Sequence, residues 1–99
     1  MKLLLRPAAV DDIRAARHYY ADADRRLDDQ LAEDLDRLFA LLEAFPRSAP
    51  VVEAYESIRR ALLRRFPYAV FYRLTEPDRI DVLRGVHTAR SPDTWPGED

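Results

Sequence analysis

The stretch from Ser57 to Leu74 carries the side chains best suited to bind an anion. It contains five arginines and no acidic residue, and it is rich in aromatic and aliphatic residues that favour strands. Arginine keeps its charge and offers a planar fork of donors that fits phosphates and carboxylates. The alternative is that these are ordinary surface residues whose stems cover apolar area. The arginines are Arg59, Arg60, Arg64, Arg65 and Arg73. We expect a basic sheet surface that faces either a phosphate backbone or an acidic peptide.

A second candidate for chemistry is His87, because imidazole exchanges protons near neutral pH. It lies close in sequence to Arg84 and Arg90. The alternative is a structural histidine bonded to a backbone group. The other histidine, His18, is expected at the surface of the first helix. No catalytic residue is assigned. If the protein is an enzyme, the candidates for catalysis are His87, Arg90 and Arg60.

Several kinds of site are excluded by composition. The chain has no cysteine, so disulfides and thiolate metal sites are absent, and two histidines do not make a metal cluster. Glycine-rich phosphate loops and nucleophile elbows are absent too. Adjacent acids such as Asp11 and Asp12 diverge on a helix, so we expect caps or solvated faces rather than a catalytic pair. We predict no metal and no cofactor.

The charge is divided unevenly between the two halves of the chain. The net charge is -2, which argues against a bulk nucleic-acid binder. Residues 1–56 hold 12 acids and 8 bases, whereas residues 57–99 hold 8 bases and 6 acids. We expect no signal peptide at the start of the chain, because its run of three leucines is broken by Arg6 and Pro7. No run approaches the ~20 apolar residues that span a bilayer. We expect one domain, 1–99, soluble and cytoplasmic, with no membrane partner.

The helices and strands that position these side chains are predicted from hydrophobic periodicity and from the residues that start or end each element. An apolar run at Lys2–Arg6 predicts a strand, and Pro7 then favours the start of a helix that extends to about Ala23. Asp24 is a candidate cap for a second helix, whose leucine stripe continues to about Ala44. The stripe consists of Leu27, Leu31, Leu35, Leu38 and Leu42. Strands are predicted for 57–66, 68–74 and 79–87. The predicted class is α+β: an N-terminal strand, a two-helix hairpin and a three-stranded antiparallel part, forming one sheet with one face covered by the helices. Strand 1 should lie beside a C-terminal strand.

Alternation along the strands predicts which side chains face the helices. In the central strand, Val70, Tyr72 and Leu74 are expected under the helices, with Phe71 and Arg73 on the open face. In the last strand, placing Arg84 on the open face sends Leu83 and Gly85 toward the helices. Arg60, Arg73 and Arg84 would then converge on an open, basic surface. Phe71, Val82 and Val86 would form an exposed apolar patch there, so the isolated chain should associate or aggregate.

Short motifs across nearly the whole chain resemble those of the RelE/ParE toxin superfamily. They include Phe66-Pro67-Tyr68, Phe71-Tyr72 and Val82-Leu83-Arg84, and a final pattern formed by His87, Arg90, Pro92 and Trp95. The N-terminal half adds the Pro-Ala start and Tyr19-Tyr20 before the leucine stripe. The resemblance implies a helical hairpin on an antiparallel sheet and the toxin half of a type II toxin–antitoxin pair.

The superfamily divides by target. RelE-like members cut mRNA on the ribosome with basic residues and a C-terminal tyrosine, whereas ParE-like members act on DNA gyrase. Arg60 and Arg90 match basic positions of the nucleases, but Leu62 and Ala69 stand where further charges are expected, and Trp95 stands near the tyrosine. The resemblance is therefore closer to ParE-like toxins, and it implies roles in plasmid stabilization and in DNA gyrase inhibition. The alternatives are a ribosome-dependent mRNA endonuclease and a non-toxic antitoxin-binding module.

The expected partners are a cognate antitoxin and DNA gyrase, or the ribosome in the nuclease alternative. Operator DNA would be contacted only through the antitoxin. The assembly would be either a homodimer or a toxin–antitoxin heterotetramer. The free sheet edges invite an added strand from the antitoxin. The residues predicted to bind partners are Arg59, Arg60, Phe71, Arg73, Arg84, His87, Arg90 and Trp95.

Overall fold

Two helices and five strands form the fold of the described residues. The computed structural model describes residues 1–53 and 55–89 of the chain. The elements in chain order are β1 (Lys2–Leu5), α1 (Pro7–Ala23), α2 (Arg25–Ala44), β2 (Val51–Val52), β3 (Tyr55–Leu62), β4 (Tyr68–Thr75) and β5 (Arg79–His87). The predicted α+β class is confirmed. The two-residue strand β2 lies in a segment that was not predicted to form a strand.

In the helical hairpin, α1 begins at Pro7 and α2 begins directly after Asp24. Pro7 lies in the first turn of α1, where its missing N–H has no helical partner to lose. Asp24 ends α1 by donating its backbone N–H to the Tyr20 carbonyl. Its side chain then accepts a hydrogen bond of 2.9 Å from the backbone N–H of Arg26 and caps α2, as the sequence predicted.

The sheet has the strand order β1-β5-β4-β3-β2. β1 is parallel to β5, which confirms that strand 1 lies beside a C-terminal strand, and the other pairs are antiparallel. β1 pairs only with the first part of β5, from Arg79 to Val82. The outer edge of β5 from Leu83 onward therefore has no strand neighbour among the described residues.

The main core lies between the helices and the sheet. Leu31, Leu35, Leu38 and Leu42 of α2 pack in one cluster with Val70 and Tyr72 of β4, together with residues of α1, β1 and β5. The two β4 residues lie on the face predicted for them, and so does Leu74, which packs against the same cluster. At the start of α1, the side chains of Asp12 and Ile13 lie 3.8 and 4.0 Å from a Cβ placed on Gly85. This close approach confirms the prediction that Gly85 faces a helix.

A smaller core lies on the opposite face of the sheet and overturns the predicted exposed patch. Its members are Val52, Ile58, Ala69, Phe71 and Leu83, with Val86 packed against them. Phe71 and Ala69 are fully buried there. The prediction that Phe71 is exposed is therefore wrong. The predicted exposed patch was one ground for expecting the isolated chain to associate, and it does not form at Phe71 and Val82, which are both buried. The association itself stays a prediction.

A β-bulge explains the errors in side-chain facing along β5. Phe71 pairs with Arg84, but Tyr72 pairs with Val82, so Leu83 is an extra residue on β5. The bulge shifts the alternation by one residue. Val82 consequently joins the main core beneath the helices, and Leu83 joins the opposite core, each contrary to prediction. Strict alternation cannot detect such an insertion.

The turn between β3 and β4 is longer than predicted. The strand predicted for 57–66 ends at Leu62, and residues 63–67 form the connection. Within it, Leu63 donates its backbone N–H to the Tyr68 carbonyl, and Leu63 and Phe66 are buried. The end of β5 is joined to this connection by a hydrogen bond of 2.8 Å from the Thr88 N–H to the Pro67 carbonyl.

Candidate partner-binding surface

Arg59 holds a loop instead of extending freely from the sheet. Its Nη1 donates hydrogen bonds of 2.7 Å to the Ala49 carbonyl and 3.2 Å to the Arg47 carbonyl. Tyr72, which pairs with Arg59 across the sheet, donates its hydroxyl to the Pro46 carbonyl at 2.7 Å. Burial raises the pKa of the Tyr72 hydroxyl. Both side chains therefore fasten the loop that leads from α2 to β2.

Arg60 and Arg84 lie on one line across the sheet. Each of them pairs with Phe71, Arg60 from β3 and Arg84 from β5. The Nε of Arg60 is buried and has no hydrogen-bond partner among the residues that the structure describes. The register thus brings two of the three convergent arginines together, with a buried aromatic ring between them.

The charge of Arg84 is matched within the protein. Its Nε and Nη2 donate to the two carboxylate oxygens of Asp12 at 2.7 and 3.1 Å. Asp12 Oδ2 also accepts a hydrogen bond of 2.9 Å from the Gly85 N–H. The hydrogen bond to Asp12 raises the pKa of the Arg84 guanidinium. The prediction that Asp12 is only a cap or a solvated residue is wrong, because this carboxylate joins α1 to β5.

Arg73 lies farther along β4, opposite Asp81 of β5. Asp81 is buried, and it accepts a hydrogen bond of 2.8 Å from Thr75 Oγ1 and one of 3.2 Å from Arg79 Nη2. Burial alone would raise the pKa of Asp81, but the bonds from Thr75 and Arg79 bring it below its ordinary value. This end of the sheet is therefore polar and closely packed. Arg90 and Trp95, two more predicted contacts, lie outside the described residues.

His87 makes the backbone contact expected of a structural histidine. Its Nδ1 accepts a hydrogen bond of 3.1 Å from the Ala89 N–H. Its ring meets that of Tyr68 edge-on, with the centroids 5.2 Å apart. Because Nδ1 is an acceptor, the proton of the neutral ring is on Nε2. A catalytic role for His87 stays a prediction.

A groove runs between α1 and the unpaired edge of β5, and we call it the edge groove. Its volume is about 690 Å³. The small side chains of Ala15 and Ala16 form the helical wall, and Tyr19, Tyr20, Tyr68 and His87 add aromatic surface. The rings of Tyr20 and Tyr68 lie 6.3 Å apart, edge to face. Asp12 and Arg84 lie at the other end. The groove combines an apolar wall with a sheet edge.

Sequence reasoning missed Asp34, a second carboxylate that joins a helix to a different element, here the connection between β3 and β4. This residue of α2 accepts hydrogen bonds from the backbone N–H groups of Arg64 and Arg65, at 3.3 and 2.7 Å. Arg37 Nη2 donates to the same carboxylate at 3.1 Å. Burial alone would raise the pKa of Asp34, but the Arg65 N–H, Arg37 and the Arg64 N–H bring it below its ordinary value. A signal was present, since Asp34 lies within the leucine stripe rather than opposite it.

The described residues contain no group of three or more histidines, cysteines or carboxylates able to hold a metal. Leu62 is about half exposed and Ala69 is fully buried. Both side chains are apolar, and neither carries the charge that the nuclease comparison requires at its position. No helix in the described ranges has the length and apolar character needed to cross a membrane. The arrangement is suited to binding extended or charged partners.

Comparison with known proteins identifies the family. Residues 3–92 match the family described as ParE toxin of type II toxin-antitoxin system, parDE. The chain therefore belongs to the ParE toxin family. A solved structure described as "Chromosomal ParDE TA system from P. aeruginosa" is similar in fold, with a TM-score of 0.73 and 18% identity. The alignment covers 88% of this chain and 95% of that one. No curated protein matches.

Proposed function

We propose that the protein inhibits DNA gyrase, is neutralised by a cognate antitoxin and acts in the cytoplasm. The observation that carries this proposal is the ParE family match over residues 3–92. The superfamily resemblance connects ParE-like members with gyrase. It connects RelE-like members with mRNA cleavage, which requires a basic set on the sheet.

The surroundings of the basic residues support the gyrase proposal over the nuclease alternative. A phosphoryl-transfer site needs cations aimed at developing charge and a group that moves a proton. Arg84 is instead held by Asp12, and Arg59 by two loop carbonyls. The side chain that separates Arg60 from Arg84 is the apolar ring of Phe71. These arginines stabilise the fold or meet a partner more readily than they cleave RNA.

An assay with purified gyrase tests the proposal directly. We expect the protein to inhibit supercoiling of relaxed plasmid, and we expect its cognate antitoxin, added first, to abolish the inhibition. Translating ribosomes supplied with mRNA form the parallel arm, where we expect no cleavage. Unaffected gyrase together with ribosome-dependent cleavage would favour the RelE-like alternative. Inactivity in both arms, with antitoxin binding intact, would favour the non-toxic module.

The edge groove is the proposed docking site for an extended segment of the antitoxin. The backbone of β5 beyond Val82 has no strand neighbour among the described residues, and an extended peptide can pair with such an edge. The aromatic wall provides area for apolar side chains of the same segment. The ParDE system to which this fold is similar supports an antitoxin as the occupant.

A matched pair of bulky substitutions tests this docking site. Ala15→Trp fills the groove, whereas Ala40→Trp makes the same change at an exposed position of α2 that does not line it. We expect Ala15→Trp to weaken antitoxin binding at least tenfold and Ala40→Trp to leave it within twofold, with both variants folded by circular dichroism. Equal affinities of the two variants would contradict the placement.

A further inference from the structure

The connection between β3 and β4 presents a pair of neighbouring arginines. Arg64 and Arg65 are both exposed. They line a depression of about 240 Å³ together with Glu33, Asp34 and Arg37 of α2. Neither residue forms an ion pair with another part of the chain that the structure describes. We call Arg37, Arg64 and Arg65 the arginine turn. None of the three lines the edge groove.

The backbone beneath these side chains is fixed by Asp34. The Asp34 side chain is only 2% exposed, and it accepts one hydrogen bond from each of the two turn N–H groups. Holding the backbone in this way reduces the conformational freedom that a partner must restrict on binding. The Arg37 guanidinium, which is about one-third exposed, is oriented by the same carboxylate.

The local charge favours an anion. The negative charge of Asp34 is balanced by Arg37. The other charges that line the depression are those of Arg64 and Arg65 and the exposed carboxylate of Glu33. Arginine forms paired hydrogen bonds with carboxylates, and several such side chains in one depression can share a short run of acids. The hydrogen bonds to Asp34 use only the backbone N–H groups of Arg64 and Arg65. They do not explain why both exposed side chains are arginines.

We propose that the arginine turn binds a short acidic segment of a protein partner, with carboxylates as the recognised groups. The surrounding charge favours a short segment over a nucleic acid. Glu33 is an exposed acid that lines the depression, and the whole chain is net negative. A long polyanion would be repelled by this charge, whereas a few carboxylates interact with the arginines at close range. The proposal does not depend on gyrase as the target.

A peptide titration tests the proposal on the intact protein. The probe is capped hexaglutamate, followed by ¹⁵N NMR of backbone amides and arginine side chains at about 50 mM salt, where screening is weak. We expect the largest shifts at Arg37, Arg64 and Arg65, with binding that weakens as salt is raised. Arg64→Gln combined with Arg65→Gln should lower the affinity about tenfold, which corresponds to about 1.4 kcal/mol.

The chain offers a matched control at the start of α2. Arg25 and Arg26 are also adjacent and exposed, so replacing both with glutamine removes the same charge elsewhere. We expect this control to keep the affinity within twofold. The same loss in both double variants would mean that only net charge matters and would overturn the proposal. Tighter binding of a single-stranded hexanucleotide than of hexaglutamate would also overturn it, in favour of a phosphate-backbone surface.

Discussion

Asp34 and Asp12 both join a helix to the sheet, but they do so at different kinds of site. Asp34 is almost fully buried and bonds to two backbone N–H groups of a turn. The side chain of Asp12 is 19% exposed, and it holds one N–H of β5 and the Arg84 guanidinium, which is 30% exposed. A turn N–H that loses Asp34 has no ladder partner to replace it. An arginine that loses Asp12 can turn toward water. The two sites indicate that the stability contributed by a carboxylate depends on the groups that donate hydrogen bonds to it.

The largest expected effect is that of Asp34→Ala. This change leaves two N–H groups and the Arg37 guanidinium without their acceptor, at a cost of about 3 kcal/mol in the free energy of unfolding. Urea denaturation measures it. Asp36→Ala removes the same charge from an exposed position of α2 and should cost less than about 0.5 kcal/mol. Similar losses in the two variants would show that helix charge, rather than the bonds to the turn, explains the effect.

The acid limb of the stability profile should report the same bonds. The pKa of the Asp34 carboxyl is lower in the folded protein than in the unfolded chain. The ionised carboxylate therefore contributes its full stabilisation of the fold above the ordinary aspartate pKa of about 3.9. It is lost as the pH falls through the lower folded value. Asp81 behaves in the same direction. In Asp34→Asn the decline from about pH 5 to about pH 2 should be shallower than in the unmodified protein. Parallel declines would contradict this assignment.

Asp12→Ala should cost less than Asp34→Ala, about 1.5 kcal/mol, because its partner Arg84 is partly solvated. Asp11→Ala, at the neighbouring exposed position, is the control and should change stability by less than about 0.5 kcal/mol. A double-mutant cycle with Arg84→Ala isolates the pair. We expect a coupling energy of about 1 kcal/mol, and no coupling would mean that only the bond to Gly85 contributes.

The order of the elements other than β2 was predictable because each of them depends on local signals. Pro7, Asp24 and the leucine stripe define the helices, and Tyr68–Thr75 has the composition of a strand. The facing of β4 followed from alternation because the extra residue lies on β5, so β4 itself alternates without interruption. The facing of β5 did not, since the extra residue Leu83 is a property of pairing between strands and leaves no mark on one sequence.

The candidate site was less predictable, because its arginines differ in what lies near them after folding. Arg59, Arg60 and Arg84 look alike in sequence. Folding gives Arg59 two loop carbonyls and Arg84 a carboxylate that lies 72 residues away along the chain. Such long-range partners have no local signature. Asp34 was the exception, because an acid inside an apolar stripe of a helix is itself a sign that the carboxylate has a buried partner.

Arg60 provides the smallest expected change in stability and the sharpest contrast with Arg84. Its buried Nε has no hydrogen-bond partner within the described ranges, so Arg60→Ala removes a poorly satisfied polar group and should change the unfolding free energy by less than about 0.5 kcal/mol. Arg84→Ala should be more destabilising, because it also leaves Asp12 without its partner. If Arg60 contacts the target, Arg60→Ala will weaken the proposed inhibition of gyrase while thermal unfolding is unchanged. A variant with unaltered inhibition would remove Arg60 from the predicted partner-binding set.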